Sequence, residues 1–251
     1  LQTNTQSALD IDTWCLDHAS DSKDIKALEM DILTIYLGQY QQKWQDILSA
    51  LTPKQYFNKD GMLHELQILS SVENPLNTLI KIISDNTDLN DALLLNDAYS
   101  LGLPSSDIKT KFVTISNYFK PYYDFAKKES FLDSKLNSLN TQSDMKEVAV
   151  GSIKERLATD IQNVSTKISD FTQNNTKDIK AKITYILEGS NEENDPFKKF
   201  ATDIKDLPPY IARYYDKLSQ FSWKIIENTS GILLNNAWKS EIYTVFINEI
   251  S

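Results

Sequence analysis

The segment Asp144–Phe171, DMKEVAVGSIKERLATDIQNVSTKISDF, decides the fold class. Leu157, Ile161, Val164, Ile168 and Phe171 follow a 4-3-4-3 spacing, with Val150 and Ile153 ahead of them. At 3.6 residues per turn this spacing puts all five on one side of a helix and makes a two-sided seam for packing against other helices. A half-buried strand would alternate in twos, and the segment does not.

The same period recurs outward from this segment in both directions. From Ser22 to Leu51 the apolar positions Ile25, Leu28, Ile32, Ile35, Tyr36, Tyr40, Trp44, Ile47, Leu48 and Leu51 line one face of a long helix, which Thr52-Pro53 ends. Asn58-Lys59-Asp60-Gly61 reads as a turn before a helix with Leu63, Leu66 and Leu69. Asn74 as N-cap and Pro75 at the first helical position open another, which buries Leu76, Leu79, Ile80 and Ile83. Leu103-Pro104-Ser105-Ser106 is a break and cap, and the next helix runs towards Lys128 with a kink or end expected near Pro121. Asn174-Asn175-Thr176 interrupts the chain before a helix ending at Gly189. Asp195-Pro196 repeats the cap-plus-proline start, and two final helices follow Pro208-Pro209. The first carries Ile211, Tyr214, Leu218, Phe221 and Ile225, the second Trp238, Ile242, Val245 and Phe246.

Composition agrees. The 251 residues include only six glycines and seven prolines, where average usage is roughly 12% for the two together, and strand-and-turn folds need them at every corner. A 41% hydrophobic content can fill a core. The fold class read from the chain is therefore an all-α, elongated multi-helix bundle. The polar stretch Gly189–Asp195 is a candidate linker between a helical domain at 1–190 and a C-terminal helical subdomain at 191–251.

The chemistry the chain can host is narrow. No two of its glycines are close enough to build a phosphate-cradling loop, which excludes P-loop and dinucleotide-type sites. A formal charge of −9, with no uninterrupted basic cluster, argues against nucleic acid. The lone Cys15 makes no internal disulfide, and its neighbour His18 has no orienting partner. His18 lies among Asp17, Asp21 and Asp24, a solvated acidic helix start. His64-Glu65 resembles the start of a zinc-protease helix, but the required second histidine position is Ile68. Ser-x-x-Lys occurs three times, at Ser20, Ser106 and Ser143, without the companion motifs of a hydrolase. No catalytic residue, metal ligand or cofactor is assigned. No apolar run reaches the roughly 20 residues of a membrane span, and the start LQTNTQSALD, without methionine, fits a piece of a larger protein. Tyr36, Tyr40 and Trp44, four apart, form an aromatic stripe that the periodicity reads as core.

Three segments in order resemble the periplasmic part of the IcmF/TssM family. The first is Tyr36-x-x-x-Tyr40-x-x-x-Trp44 with Ile47-Leu48. The second runs from Leu66 through Pro75-Leu76 and Leu79-Ile80 to Thr87-Asp88-Leu89, departing from the family's usual glutamate at Asp85-Asn86. The third comprises Pro196-Phe197, Leu207-Pro208-Pro209, Trp223 and Asn235-Asn236-Ala237-Trp238 to Val245. The middle, about residues 99–188, matches only in helical character. The structural family motif is therefore Tyr36, Tyr40, Trp44, Pro75, Leu76, Leu89, Pro208, Pro209, Trp223 and Trp238.

This resemblance implies a parent anchored in the bacterial inner membrane, with transmembrane and cytoplasmic parts ahead of Leu1. It implies a periplasmic location for the chain and a β-rich domain after it. The implied role is a non-enzymatic scaffold of a type VI secretion membrane complex. The implied partners are an outer-membrane lipoprotein of TssJ type and a TssL/DotU-like inner-membrane protein, in an oligomeric complex. An IcmF protein of a Dot/Icm type IVB system, stabilising that apparatus with a DotU-like partner, is the alternative. A helical secreted effector or hydrolase is a rival that a polar pocket joining His64 or His18 to distant carboxylates would support, and a helical adhesin is disfavoured by the lack of repeats.

Overall fold

The computed structural model describes residues 22–71, 74–89, 105–138, 152–173, 179–188 and 194–250. Within them the chain is helix and short connection with no strand, so the protein is all-α and multi-helical as its periodicity requires. The elements are α1 (Ser22–Ala50), α2 (Lys59–Leu69), α3 (Pro75–Thr87), α4 (Ser105–Ser138), α5 (Ile153–Thr172), α6 (Ile179–Glu188), α7 (Pro196–Asp203), a 3-10 turn (Ile204–Asp206), α8 (Pro209–Ala237), a π-helical turn (Trp238–Tyr243) and α9 (Thr244–Ile250). Expectations at Cys15, His18, Leu103-Pro104, 144–151, Asn174-Asn175-Thr176 and 189–193 lie outside the described residues.

Local chemistry accounts for most helix starts. Asn74 Oδ1 accepts from the backbone N–H of Leu76 and Asn77 at 3.0 and 3.1 Å, and Asp195 Oδ1 accepts from Phe197 and Lys198 at 3.0 and 3.3 Å. Each satisfies donors that the first turn cannot pair, with proline at the next position. Asn58 caps α2 by accepting from Gly61 at 2.8 Å, so Gly61 sits in the first helical turn rather than in a preceding loop. A Cβ at Gly61 would lie 2.3 Å from the Tyr56 ring, and this close approach is what the glycine permits.

Two expectations need correction. Helix α4 does not end or break at Pro121 but continues through it for 34 residues. Pro121 lies on the exposed side, while Phe112, Ile115, Phe119, Tyr122, Tyr123 and Phe125 are buried, and that tertiary packing outweighs one missing N–H. The two final helices are not separate: α8 passes through the π-helical turn directly into α9.

The chain forms two compact units. One comprises Leu1–Ala50 and Ile80–Asp124. Its buried apolar side chains include Leu37, Leu48, Ile83, Phe112, Ile115 and Phe119. Ser116 Oγ, fully buried, accepts from the Leu89 N–H at 3.0 Å and donates to the Thr87 carbonyl at 3.5 Å, fixing the end of α3. Tyr40 Oη donates to the Asn86 carbonyl, and Lys111 Nζ donates to Thr34 Oγ1 at 2.6 Å.

The other unit comprises Leu51–Leu79 and Phe125–Ser251, and α5 is its hub, packing against α2, α7 and α8. Leu157, Ile161, Val164, Ile168 and Phe171 are all buried, as the seam predicts. Glu129, 1% exposed, caps α5 from a distant part of the chain: its carboxylate accepts from Ser152 Oγ at 2.6 Å and from Ile153 N–H at 3.0 Å. A negative charge there also suits the helix dipole. The buried Asn74 reaches further than its cap, donating to Leu69 O at 3.2 Å and Tyr215 Oη at 3.3 Å.

Candidate functional site

The aromatic stripe of α1 is continuous but only partly covered. Tyr36 and Tyr40 stack at 6.1 Å between ring centroids, and Tyr40 meets Trp44 edge-on at 6.4 Å. Tyr36 is 59% exposed, Ile35 60% and Ile47 49%, while Tyr40 and Trp44 are half-buried. The core reading therefore fails for Tyr36 and holds only partly for the other two. Helical spacing fixes which side chains share a face, but only tertiary contacts decide whether that face is covered.

The rest of the motif serves helix starts and packing. Pro75 is the exposed first residue of α3, Leu76 is buried, and Leu89 is held through its N–H by Ser116. Pro208 is buried at the N-cap of α8 and Pro209 is its exposed first residue. Trp223, half-buried, packs on Tyr185 at 5.5 Å and edge-on to Phe197 at 5.3 Å, and its Nε1 donates to Glu227 at 2.8 Å. Trp238 is 55% exposed at the start of the π-helical turn. After Leu233 no described side chain is buried, yet Ile242, Tyr243, Val245, Phe246 and Ile247 follow. This second apolar surface is open to solvent. Large contiguous apolar patches are uncommon on free monomers and mark interaction sites.

A polar groove of about 370 Å³ lies within the second unit, between α2 and α5. Asp60, Leu63, His64, Gln67 and Ser70 line one wall, Gln162 and Ser165 the other. Among the residues that line the groove the one carboxylate is Asp60, one turn before His64 on the same helix, and the opposite wall supplies an amide and a hydroxyl. This is not the junction of histidine with distant carboxylates that a hydrolase reading needs. Glu65 instead accepts from Tyr214 Oη at 3.0 Å and Tyr56 Oη at 3.2 Å. Burial first, then the Glu65 charge, pushes the Tyr214 hydroxyl well above its ordinary value and keeps it a neutral donor. Among the described residues no three His, Cys, Asp or Glu side chains are placed to hold a metal ion.

Sequence reasoning missed a partly buried ionic cluster where α5 meets α7, with Asp160 as its buried member. Asp160 is 6% exposed, with the Asp203 carboxylate near enough for its charge to act on it. Arg156 forms ion pairs with Asp203 at 3.3 Å and Asp206 at 3.2 Å. Asp160 immediately precedes the seam residue Ile161, and an acidic residue beside an apolar row was the available signal.

Among the described residues no helix is long and apolar enough to cross a membrane. Neither curated proteins nor solved structures provide a match to the chain. A family model does, described as IcmF-related, intracellular multiplication and human macrophage-killing, and it covers residues 2–88. That stretch contains α1 with Tyr36, Tyr40 and Trp44, all of α2, and α3 with Pro75 and Leu76. Over residues 2–88, about a third of its length, the chain is similar to the IcmF-related family.

Proposed function

We propose that the chain is a structural scaffold of a bacterial secretion-system membrane complex: the periplasmic part of an IcmF/TssM-like protein that bridges the inner membrane to outer-membrane partners in type VI secretion. The observation that carries this reading is the family match over residues 2–88, centred on a helix whose aromatic stripe is left partly uncovered. A scaffold needs apolar surface on a stable helical frame, and the open stripe of α1 and the open end of α8–α9 supply it. In this reading the chain is not an enzyme and needs no cofactor. Its parent is anchored in the inner membrane and oligomeric, and its partners are a TssJ-type lipoprotein and a TssL/DotU-like protein. Residues 191–251 lead towards a further β-rich domain that contributes to lipoprotein binding.

The test is co-purification of the parent protein with those two partners, comparing wild type with the double variant Ile35→Glu, Tyr36→Glu. Loss of a partner with an unchanged melting temperature is expected, because both side chains are already in solvent. Full retention of both partners would remove α1 from the assembly surface. A second reading, an IcmF protein that stabilises a Dot/Icm type IVB apparatus with a DotU-like partner, is favoured by the family model's own description, intracellular multiplication. Neighbouring genes separate the two: sheath and spike genes support type VI, a Dot/Icm cluster the other.

A further inference from the structure

Helices α5 and α7 meet over apolar side chains, yet the contact also encloses charge. Asp160 projects from α5 beside Leu157, Ile161 and Val164, all buried. Asp203, the last residue of α7, brings a second carboxylate to the same joint, where Arg156 of α5 pairs with it at 3.3 Å. Two carboxylate charges in one joint repel, which favours the neutral form of the buried one. Asp160 Oδ2 is buried without a hydrogen-bond partner, an arrangement tolerable for a neutral acid and costly for a carboxylate.

The surrounding charges do not reverse that preference. Arg156, one turn earlier on α5, is engaged by Asp203 and by Asp206 of the 3-10 turn, and Lys199 of α7 is exposed. Both favour the ionised form of Asp160, but the loss of water and the Asp203 charge act more strongly in the other direction. Helices α2 and α8 also pack on α5 and bring no charged group that acts on Asp160.

We propose that the α5–α7 joint is a pH-sensitive latch that tightens in mildly acidic medium, with the buried Asp160 as the titrating group and Asp203 as the neighbouring charge that opposes its ionisation. The balance of effects pushes the Asp160 carboxyl up to about 6 from an ordinary 3.8. Between those values the folded joint holds a proton that the opened chain has lost. Stability of the joint is therefore fully present below about 4, declines as pH rises to 6, and stays low above it.

The test is amide hydrogen exchange on the 251-residue chain at pH 5 and 7.5, corrected for intrinsic rates and followed in 153–172 and 196–206. Protection about tenfold greater at pH 5 is expected from the size of the displacement. Asp160→Asn, which keeps the shape and cannot ionise, should remove the difference. Equal protection of the wild type at both pH values, or the same pH step in the variant, would overturn the latch. Should Asp160→Asn fail to fold, the carboxyl carbon resonance of Asp160 in the wild type decides. A midpoint above 5 upholds the proposal, and one near 4 refutes it.

Discussion

Helices α1 and α5 start from the same kind of pattern and finish differently. Both carry apolar residues at three- and four-residue spacings. In α5 every seam residue from Leu157 to Phe171 is buried, because α2, α7 and α8 close around it. Among the described side chains of α1 only Leu37, Leu48 and the charged Glu29 are buried, whereas Leu28, Ile35, Tyr36 and Ile47 face solvent. A hydrophobic period specifies a helix and a face, but it does not say whether the chain itself or a partner covers that face. The two helices thus divide the work: one is closed in by its neighbours, and the other keeps apolar surface available.

The largest effect should come from the hub. Ile161→Ala is expected to lower stability by about 2–5 kcal/mol, since Ile161 is fully buried and the cavity cannot relax on a helix packed by three others. Thermal unfolding followed by circular dichroism measures it. A loss as small as that expected on α1 would erase the contrast between the helices.

How much of this was legible in the sequence depends on how local each cause is. Asn74-Pro75 and Asp195-Pro196 were readable as helix starts because cap and first turn are adjacent in the chain. The passage of α4 through Pro121 was not, since it depends on the packing of Phe119, Tyr122 and their neighbours. The Glu129 cap on α5 spans 23 residues to Ser152, and the Arg156–Asp203 ion pair joins two helices, so neither leaves a short-range pattern. The structural motif was legible as residue types, but the openness of Tyr36 and Trp238 was not, because solvent exposure belongs to the assembled fold.

Next in size is the cap supplied from α4. Glu129→Gln removes the charge that accepts from Ser152 and Ile153, and should cost about 1–3 kcal/mol by urea unfolding. No change would mean that α5 is held by its seam alone. Gly61→Ala brings a methyl into the Tyr56 ring, and a cost of about 1–3 kcal/mol is expected, relieved by the double change Gly61→Ala, Tyr56→Leu. Persistence of the full cost in the double variant would place the glycine's role elsewhere.

On α1 the effects should shrink. Trp44→Ala, which sequence reading alone would rank with a full core deletion, is expected to cost roughly 1–2 kcal/mol because the ring is only half-buried. Tyr36→Ser should fall within about 0.5 kcal/mol of wild type. A drop at Tyr36 comparable to Ile161→Ala would show that the stripe belongs to the core after all.

The central claim is that the open faces of α1 and of α8–α9 are partner surfaces on a self-sufficient helical frame. Photo-crosslinking tests it most directly, with a light-activated residue placed one position at a time in the parent protein in its own cells. The positions are Tyr36 and Phe246 on the open faces and Lys128, an exposed charged residue of α4. The account predicts adducts with other membrane-complex proteins at Tyr36 and Phe246 and none at Lys128. Adducts at none of the three, or equally at all three, would contradict it.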